Sequence, residues 1–329
     1  MAAGRGYVVT DTGKALAGTR KTASKTGMTD RPAPNRPLVG IAWMLATTLC
    51  FVLVNIIVHW LGARVPAVQS AFVRFVWGTL FFAPALVQIL RRSYPRKVWA
   101  LFGLRGVLHA IAVGLWFYAM AHIPIADVTA INYLNPIVVT VGGAVLLGEG
   151  LAWRRITAVI VALLGALIIL RPGLREIEPG HLAQLGAALF FGATYLVAKR
   201  LTDFVPAGTV VAMMSLSVAL CLAPVAIWNW QPITLSETLW LAAVAVFATG
   251  GHYAMTHAFA AAPVTVTQPV LFLQLVWAAI AGWSLFGEVP DPFTMLGGGI
   301  IIACVSFMTW RESRLKGGPV TPPAPATKI

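Results

Sequence analysis

Long apolar stretches alternate with short polar ones along most of the chain. Ten of the apolar stretches are prominent, at residues 38–60, 67–90, 98–121, 125–147, 153–170, 181–201, 206–228, 237–260, 263–287 and 292–310. A helix needs about 20 mostly apolar residues to cross the hydrocarbon core of a bilayer, so each stretch is predicted to be a transmembrane helix. None shows the alternating pattern, in segments of about 10 residues, that marks the strands of a membrane barrel. The predicted fold is therefore all-α and integral to the membrane. The connections at 61–66, 122–124, 148–152 and 288–291 are too short to hold a soluble domain. Residues 1–37 and 311–329 are polar and basic, and are expected to be disordered tails. Met28 opens "MTDRPAPNRP", a more economical beginning than Met1, so residues 1–27 are expected to come from an over-extended start. Peptide mapping of the natively expressed N-terminus checks this.

Composition agrees with the pattern. Of the 329 residues, 58% are hydrophobic and 11% charged, with mean hydropathy +0.80, whereas soluble domains carry about 25% charged residues. The net charge of +13 resembles a nucleic-acid signal. Its distribution excludes that reading, because the basic residues sit in short loops and tails between apolar runs. With the N-terminus placed inside, 19 Lys and Arg fall on the inner side and 3 (Arg64, Arg171, Arg175) on the outer, with Arg74 and Arg105 inside spans. By the positive-inside rule both termini are expected to be cytoplasmic. No secretory signal peptide is evident. Cys50, Cys221 and Cys304 lie in three different apolar runs, an arrangement that suits packing rather than disulfides.

The chain also matches itself at a shift of 140. Gly40, Leu45, Leu49, Phe51, Leu61, Val65, Pro66 and Ala67 land on Gly180, Leu185, Leu189, Phe191, Leu201, Val205, Pro206 and Ala207. "AP" at 83–84 answers "AP" at 223–224, "YAM" at 118–120 answers 253–255, and "LLGE" ending at Glu149 answers "LFGE" ending at Glu288. Each half carries five spans, an odd number, so the halves must cross the membrane in opposite senses. Ten transmembrane helices arranged as two five-helix inverted repeats, 38–170 and 181–310, are predicted. That architecture belongs to secondary transporters, with substrate held near the midplane between the halves.

At this point the residues resemble a known family. "FYAMAHIPIADVTAINYLNPIVVTVGGAVLLGE" followed by "RR" and "LLGALIILRP", and then "HYAMTHAFAAAPVTVTQPVLFLQLVWAAIAGWSLFGEVPD", are similar to the EamA branch of the drug/metabolite transporter superfamily. The likeness spans about 38–310. It implies a carrier of small organic metabolites that works by alternating access, with a central cavity lined by spans 1–4 and 6–9. Spans 5 and 10 would be peripheral. Such families include amino-acid exporters and importers of riboflavin or S-adenosylmethionine, and "FLQLVWA" leans toward the importers.

Several polar residues within the spans are candidates for the site. Arg74 lies about seven residues, roughly 10 Å, from the outer end of span 2. A charge at that depth either snorkels to the interface or faces a cavity. Its counterpart in the second half is Met214, so the half-bundle does not need the charge, and Arg74 is expected to bind a carboxylate, phosphate or π-rich ring. Arg105 and His109, four apart, share a helix face. Arg105 reaches either the interface or the cavity; His109 is either a packing residue or a titrating one. Asn55 and Tyr195 are repeat equivalents, and Asn132 and Asn135 precede Pro136, which frees a backbone carbonyl. These four, with Tyr133, Gln268 and Gln274, either glue helices together or line the cavity. Trp116, Trp277 and Trp283 either stack a planar substrate or are lipid-facing or core aromatics, the commoner case.

The predicted substrate-binding set is Arg74, Asn55, Asn132, Asn135, Tyr195, His109, Gln268, Gln274 and Trp277. No catalytic residue, metal or cofactor is expected. His252 and His257, five apart, share no helix face for a metal. Glu149 and Glu288 are expected to fix turns, and Asp127 to cap its helix. Gly165 and Gly297–Gly299 allow close contacts in spans 5 and 10 and permit a homodimer. Arg74 and its aromatic neighbours suit a zwitterionic or anionic, partly aromatic substrate.

Rival classes fare worse. An intramembrane enzyme would need a nucleophile elbow, a metalloprotease helix or paired acids, and none is present. A channel should show rings of like polar groups, which a single Arg74 breaks. A receptor leaves the inverted repeat without a purpose.

Overall fold

The computed structural model describes residues 36–147, 153–174, 176–262, 267 and 270–316. The proposed tails up to Arg36, most of the C-terminal tail, Glu149 and Gln268 lie outside them.

Twelve described helices follow the ten stretches: α1 Pro37–Leu61, α2 Ala67–Phe81, α3 Ala83–Leu90, α4 Arg96–His122, α5 Ile125–Asn132, α6 Asn135–Leu147, α7 Trp153–Leu170, α8 Pro179–Leu201, α9 Ala207–Trp228, α10 Leu235–Ala261, α11 Leu273–Phe286 and α12 Pro292–Lys316. Five are individually long and apolar enough to cross a bilayer, and α2 with α3 makes a sixth crossing. Leucines 163, 164 and 167 of α7 and Leu220, Val225 and Ile227 of α9 point outward, a surface that only lipid accommodates. Hydroxyls within the spans bond back to their own helices, as Thr47 does to the Trp43 carbonyl and Thr249 to that of Ala245, so they add little polarity.

Two spans expected to be continuous are broken. Span 2 bends by 76° between α2 and α3. Pro84, near the start of α3, has no N–H to give the carbonyl one turn back. Span 4 breaks at Tyr133–Leu134, where Pro136 likewise cannot donate and the chain turns through short bonds from Tyr133 N to Ala130 O and from Leu134 N to Ile131 O. Pro224, the repeat equivalent of Pro84, sits inside an unbroken α9; nothing in the structure explains why one proline breaks its span and the other does not.

Helix pairing obeys the repeat. Span 1 (α1) packs on span 8 (α10), and its counterpart span 6 (α8) packs on span 3 (α4). Span 2 (α2) packs on span 7 (α9), and span 5 (α7) on span 10 (α12), so each of these pairs straddles a pseudo-twofold axis. Single residues repeat the relation. Gly40, in the first turn of α1, allows close approach of Ala262, while Gly180, in the first turn of α8, allows close approach of Ile123. Both approaching residues precede a proline in their own half. Because each half has an odd number of crossings, these two contacts sit at opposite membrane faces. The face where α1 begins is called the near side, and the opposite face the far side.

The glycines read as permitting a dimer are used within the chain. A Cβ on Gly165 would come within 2.9 Å of the Gly297 carbonyl and of Ile301, and Gly298 abuts Leu275 and Ala130. Spans 5 and 10 approach closely because they pair with each other. Of the set, Gly299 alone has open space beside it among the described residues.

Candidate functional site

Two adjoining chambers lie between the halves. The first, about 240 Å³, is lined by Asn55, Thr129, Asn132 and Asn135, with Gln274 and the Trp116 indole. Phe51, Phe191 and Phe272 add ring faces. The second, about 190 Å³, is lined by Arg105, Met214, Ser215 and Thr249 and reaches Phe82 and Gly208 toward the near side. Arg74, His109, Tyr195, Ala248 and His252 line both, so the chambers share a wall.

The broken span 4 builds the first chamber. Where helix stops at Asn132 and restarts at Asn135, side-chain amides gather and bond to one another. Asn135 Nδ2 donates to Asn132 Oδ1 at 3.1 Å, and Gln184 Nε2 donates to the same oxygen at 3.4 Å. Asn55 Nδ2 donates to Thr129 Oγ1 at 3.2 Å, tying α1 to α5. Phe51 and Asn55 stand one turn apart on α1, as Phe191 and Tyr195 do on α8, so the repeat delivers the same face to the cavity twice.

Arg74 takes the cavity-facing alternative. It is partly buried, with its guanidinium carbon 4.1 Å from the Phe75 ring centre, and it shares the second chamber with its repeat equivalent Met214. Arg105 does not reach the interface: it is 3% exposed and donates to the Val210 carbonyl at 2.7 Å. His109 lies between the rings of Phe75 and Phe191, with centroids 5.7 and 5.2 Å away. His252 joins the cavity while His257 stacks on Trp43, 4.9 Å away, in keeping with a spacing that splits the two between faces.

Of the expected binding set, Arg74, Asn55, Asn132, Asn135, Tyr195, His109 and Gln274 line the cavity. Trp277 is a correction, because it does not line either chamber. Its indole Nε1 is buried without a hydrogen-bond partner among the described residues. Trp116 lines the first chamber instead, and Trp283 faces outward. Thr129, Gln184, Trp116 and His252 were absent from the expected set. Phe51 and Phe191 carried a signal, since both stand in the repeat alignment.

Polar contacts between the halves gather at the far side. Glu288 was read as a turn residue, and Gly287 does adopt the left-handed conformation there (φ 70°). The carboxylate also reaches across the axis. Its Oε1 lies 2.9 Å from His59 Nε2, and its Oε2 accepts from the backbone N–H of Ile125 at 3.1 Å. Gln69 exchanges two hydrogen bonds with the backbone of Gln231, at 2.7 and 2.9 Å, and Arg171 pairs with Asp291. Asp127 is not a helix cap, because Pro124 holds that position. It is 2% exposed, accepts from Thr294 Oγ1 at 2.6 Å and lies 3.2 Å from His181 Nε2.

Comparison with known proteins follows from this geometry. The sequence profile of the EamA-like transporter family matches twice, at residues 38–171 and 178–310. A riboflavin transporter of Vibrio cholerae is 28% identical over 85% of this chain and 96% of its own length. An S-adenosylmethionine uptake transporter of Rickettsia prowazekii is 26% identical over 84% and 94%, and a pseudopaline exporter of Pseudomonas aeruginosa is 29% identical over 85% and 97%. A solved crystal structure superposes with TM-score 0.53 at 20% identity, covering 87% of this chain and all of the other, which bears on the fold alone.

Proposed function

The chain belongs to the EamA-like transporter family, and on that premise we propose that its cavity carries a planar, hydrogen-bonding heteroaromatic metabolite. As a family member it is a multi-pass membrane protein that moves a small organic metabolite by alternating access between inverted halves. The observation that carries the substrate reading is the composition of the first chamber. Four aromatic side chains, Phe51, Trp116, Phe191 and Phe272, supply faces for a flat ring, while Asn55, Asn132, Asn135 and Gln274 supply amides that donate and accept around its edge.

The described lining contains no carboxylate, and two guanidiniums stand beside it. That charge disfavours a sulfonium cation such as S-adenosylmethionine relative to a flat ring that is neutral or anionic. The excess of Lys and Arg on the near-side loops supports a cytoplasmic near side and cytoplasmic termini, in a bacterial inner membrane. On that orientation the second chamber, which reaches Gly208, opens toward the cytoplasm and the far-side contacts form the closed outer gate. Counterflow in proteoliposomes preloaded with riboflavin, S-adenosylmethionine, nucleosides or amino acids tests the reading. A flat heterocycle, above all one bearing a carboxylate or phosphate, is expected to exchange, and Arg74→Met to slow it. Preferential exchange of S-adenosylmethionine overturns it.

A further inference from the structure

The second chamber holds two arginines and no acid. Arg105 is 3% exposed, and among the described residues the one hydrogen bond from its five N–H donors goes to the Val210 carbonyl. Its Nε is buried without a hydrogen-bond partner, as is Nδ1 of His109 one turn away. Arg74 makes no hydrogen bond or ion pair among the described residues and rests on the Phe75 ring. His109 and His252 complete the polar wall. Lysine, aspartate and glutamate are absent from the described lining of both chambers.

A guanidinium cannot shed its proton under physiological conditions, so both charges persist in the cavity. Structural arginines buried in proteins are balanced by carboxylates or saturated with carbonyls, because an uncompensated buried charge is costly. Here one carbonyl serves two cations. The Arg74 charge is not needed to shape the half-bundle at span 2, where the other half carries Met214 in the same chamber. The missing negative charge must therefore arrive with something that enters.

We propose that the second chamber is an oxyanion subsite: Arg74 and Arg105 bind a carboxylate or phosphate of the transported molecule, whose planar portion lies among the amides of the first chamber. The idea rests on the transport reading above and adds a second recognition element to it. Arg74 stands in the shared wall, so it meets the junction of ring and tail. Arg105 lies deeper in the second chamber, with its fork pre-aimed by the Val210 bond, and meets the end of the tail. A planar fork matches the two oxygens of either anion, which explains arginine rather than lysine at both places.

The test uses the full-length protein in lipid nanodiscs, titrated calorimetrically at constant ionic strength with phenyl phosphate, benzoate and benzamidine. At least one of the two anions is expected to bind saturably and the cation benzamidine not to. Stronger binding of phenyl phosphate assigns the subsite to phosphate, and stronger binding of benzoate to carboxylate. Arg105→Gln and Arg74→Met should each weaken the preferred anion by about tenfold or more, as loss of a charge-assisted hydrogen bond requires, and Arg105→Lys should recover part of the loss. If Arg105→Gln fails to elute as a single species, Arg74→Met carries the comparison, since the second half already accommodates methionine there. Equal binding of benzamidine, anion binding unchanged in the arginine variants, or no saturable anion binding overturns the subsite. Anion binding without counterflow of any metabolite leaves the subsite standing and defeats the transport reading instead.

Discussion

The far-side contact of His59 with Glu288 contains a proton, and removing its acceptor should open the cavity to the far side. His59 Nδ1 lies 2.6 Å from the Met120 carbonyl, which can only accept, so Nδ1 must carry hydrogen. Nε2 then faces a carboxylate oxygen at 2.9 Å and needs a second hydrogen, on the ring or on Glu288. The other carboxylate oxygen takes the N–H of Ile125, the first residue of α5 and a helix-end donor with no partner inside its own helix. Glu288→Ala removes both contacts between α1, α5 and the end of α11. A charge-assisted hydrogen bond is worth about 1.5–3 kcal/mol, so the open population should rise about 10- to 150-fold. Glu288→Gln is the informative control. Its amide can donate to an unprotonated Nε2 and accept from Ile125, so it should hold the gate closed without the extra proton. The assay replaces Cys50, Cys221 and Cys304 with alanine, adds one cysteine at the cavity-lining Val113, and follows labelling by an impermeant maleimide from the far side. A tenfold or larger rate increase in Glu288→Ala, with Glu288→Gln near the parent, is the expected outcome. If Glu288→Ala labels at the parent rate, or the glutamine variant opens as fully as alanine, the argument fails.

Two further outcomes concern the scaffold. Gly165→Leu should lower the melting temperature by an amount equivalent to about 1–3 kcal/mol of overpacking, since its Cβ meets the Gly297 carbonyl and Ile301 at 2.9 Å; Gly299→Leu, with open space beside it, should melt like the parent, and equal losses in the two would refute the internal span 5–span 10 pairing. Asp127→Leu should cost about 3–5 kcal/mol, because it strands the buried His181 and leaves the Thr294 hydroxyl only the longer bond to Asp291. Asp127→Asn, which keeps an acceptor for Thr294, should cost clearly less in the same melting experiment, and a ranking in the opposite order would show that the carboxylate's hydrogen bonds are not what matters.

Much of the architecture is written in the chain. Span length follows from bilayer thickness, so apolar runs mark the crossings within a few residues even where Pro84 and Pro136 break the helix. The repeat fixes helix pairing, because like halves pack alike: Gly40 and Gly180 announce equivalent crossings before any coordinates exist. Depth and helix face follow from position along a span. That is why Arg74, Asn55, Tyr195 and the span 4 amides could be assigned to a cavity and are found lining one. What the sequence could not decide depends on which neighbour occupies a given side of a helix. Arg105 reaches the cavity because α9 presents the Val210 carbonyl to it, a residue 105 positions away. Trp116 lines the chamber, whereas the Trp277 indole nitrogen is buried away from it. Glu288 and Asp127 look like local turn and cap residues in the sequence, yet their partners, His59 and His181, come from the opposite half. Periodicity sets the depth and face of a side chain; only the crossing of distant helices sets what it meets.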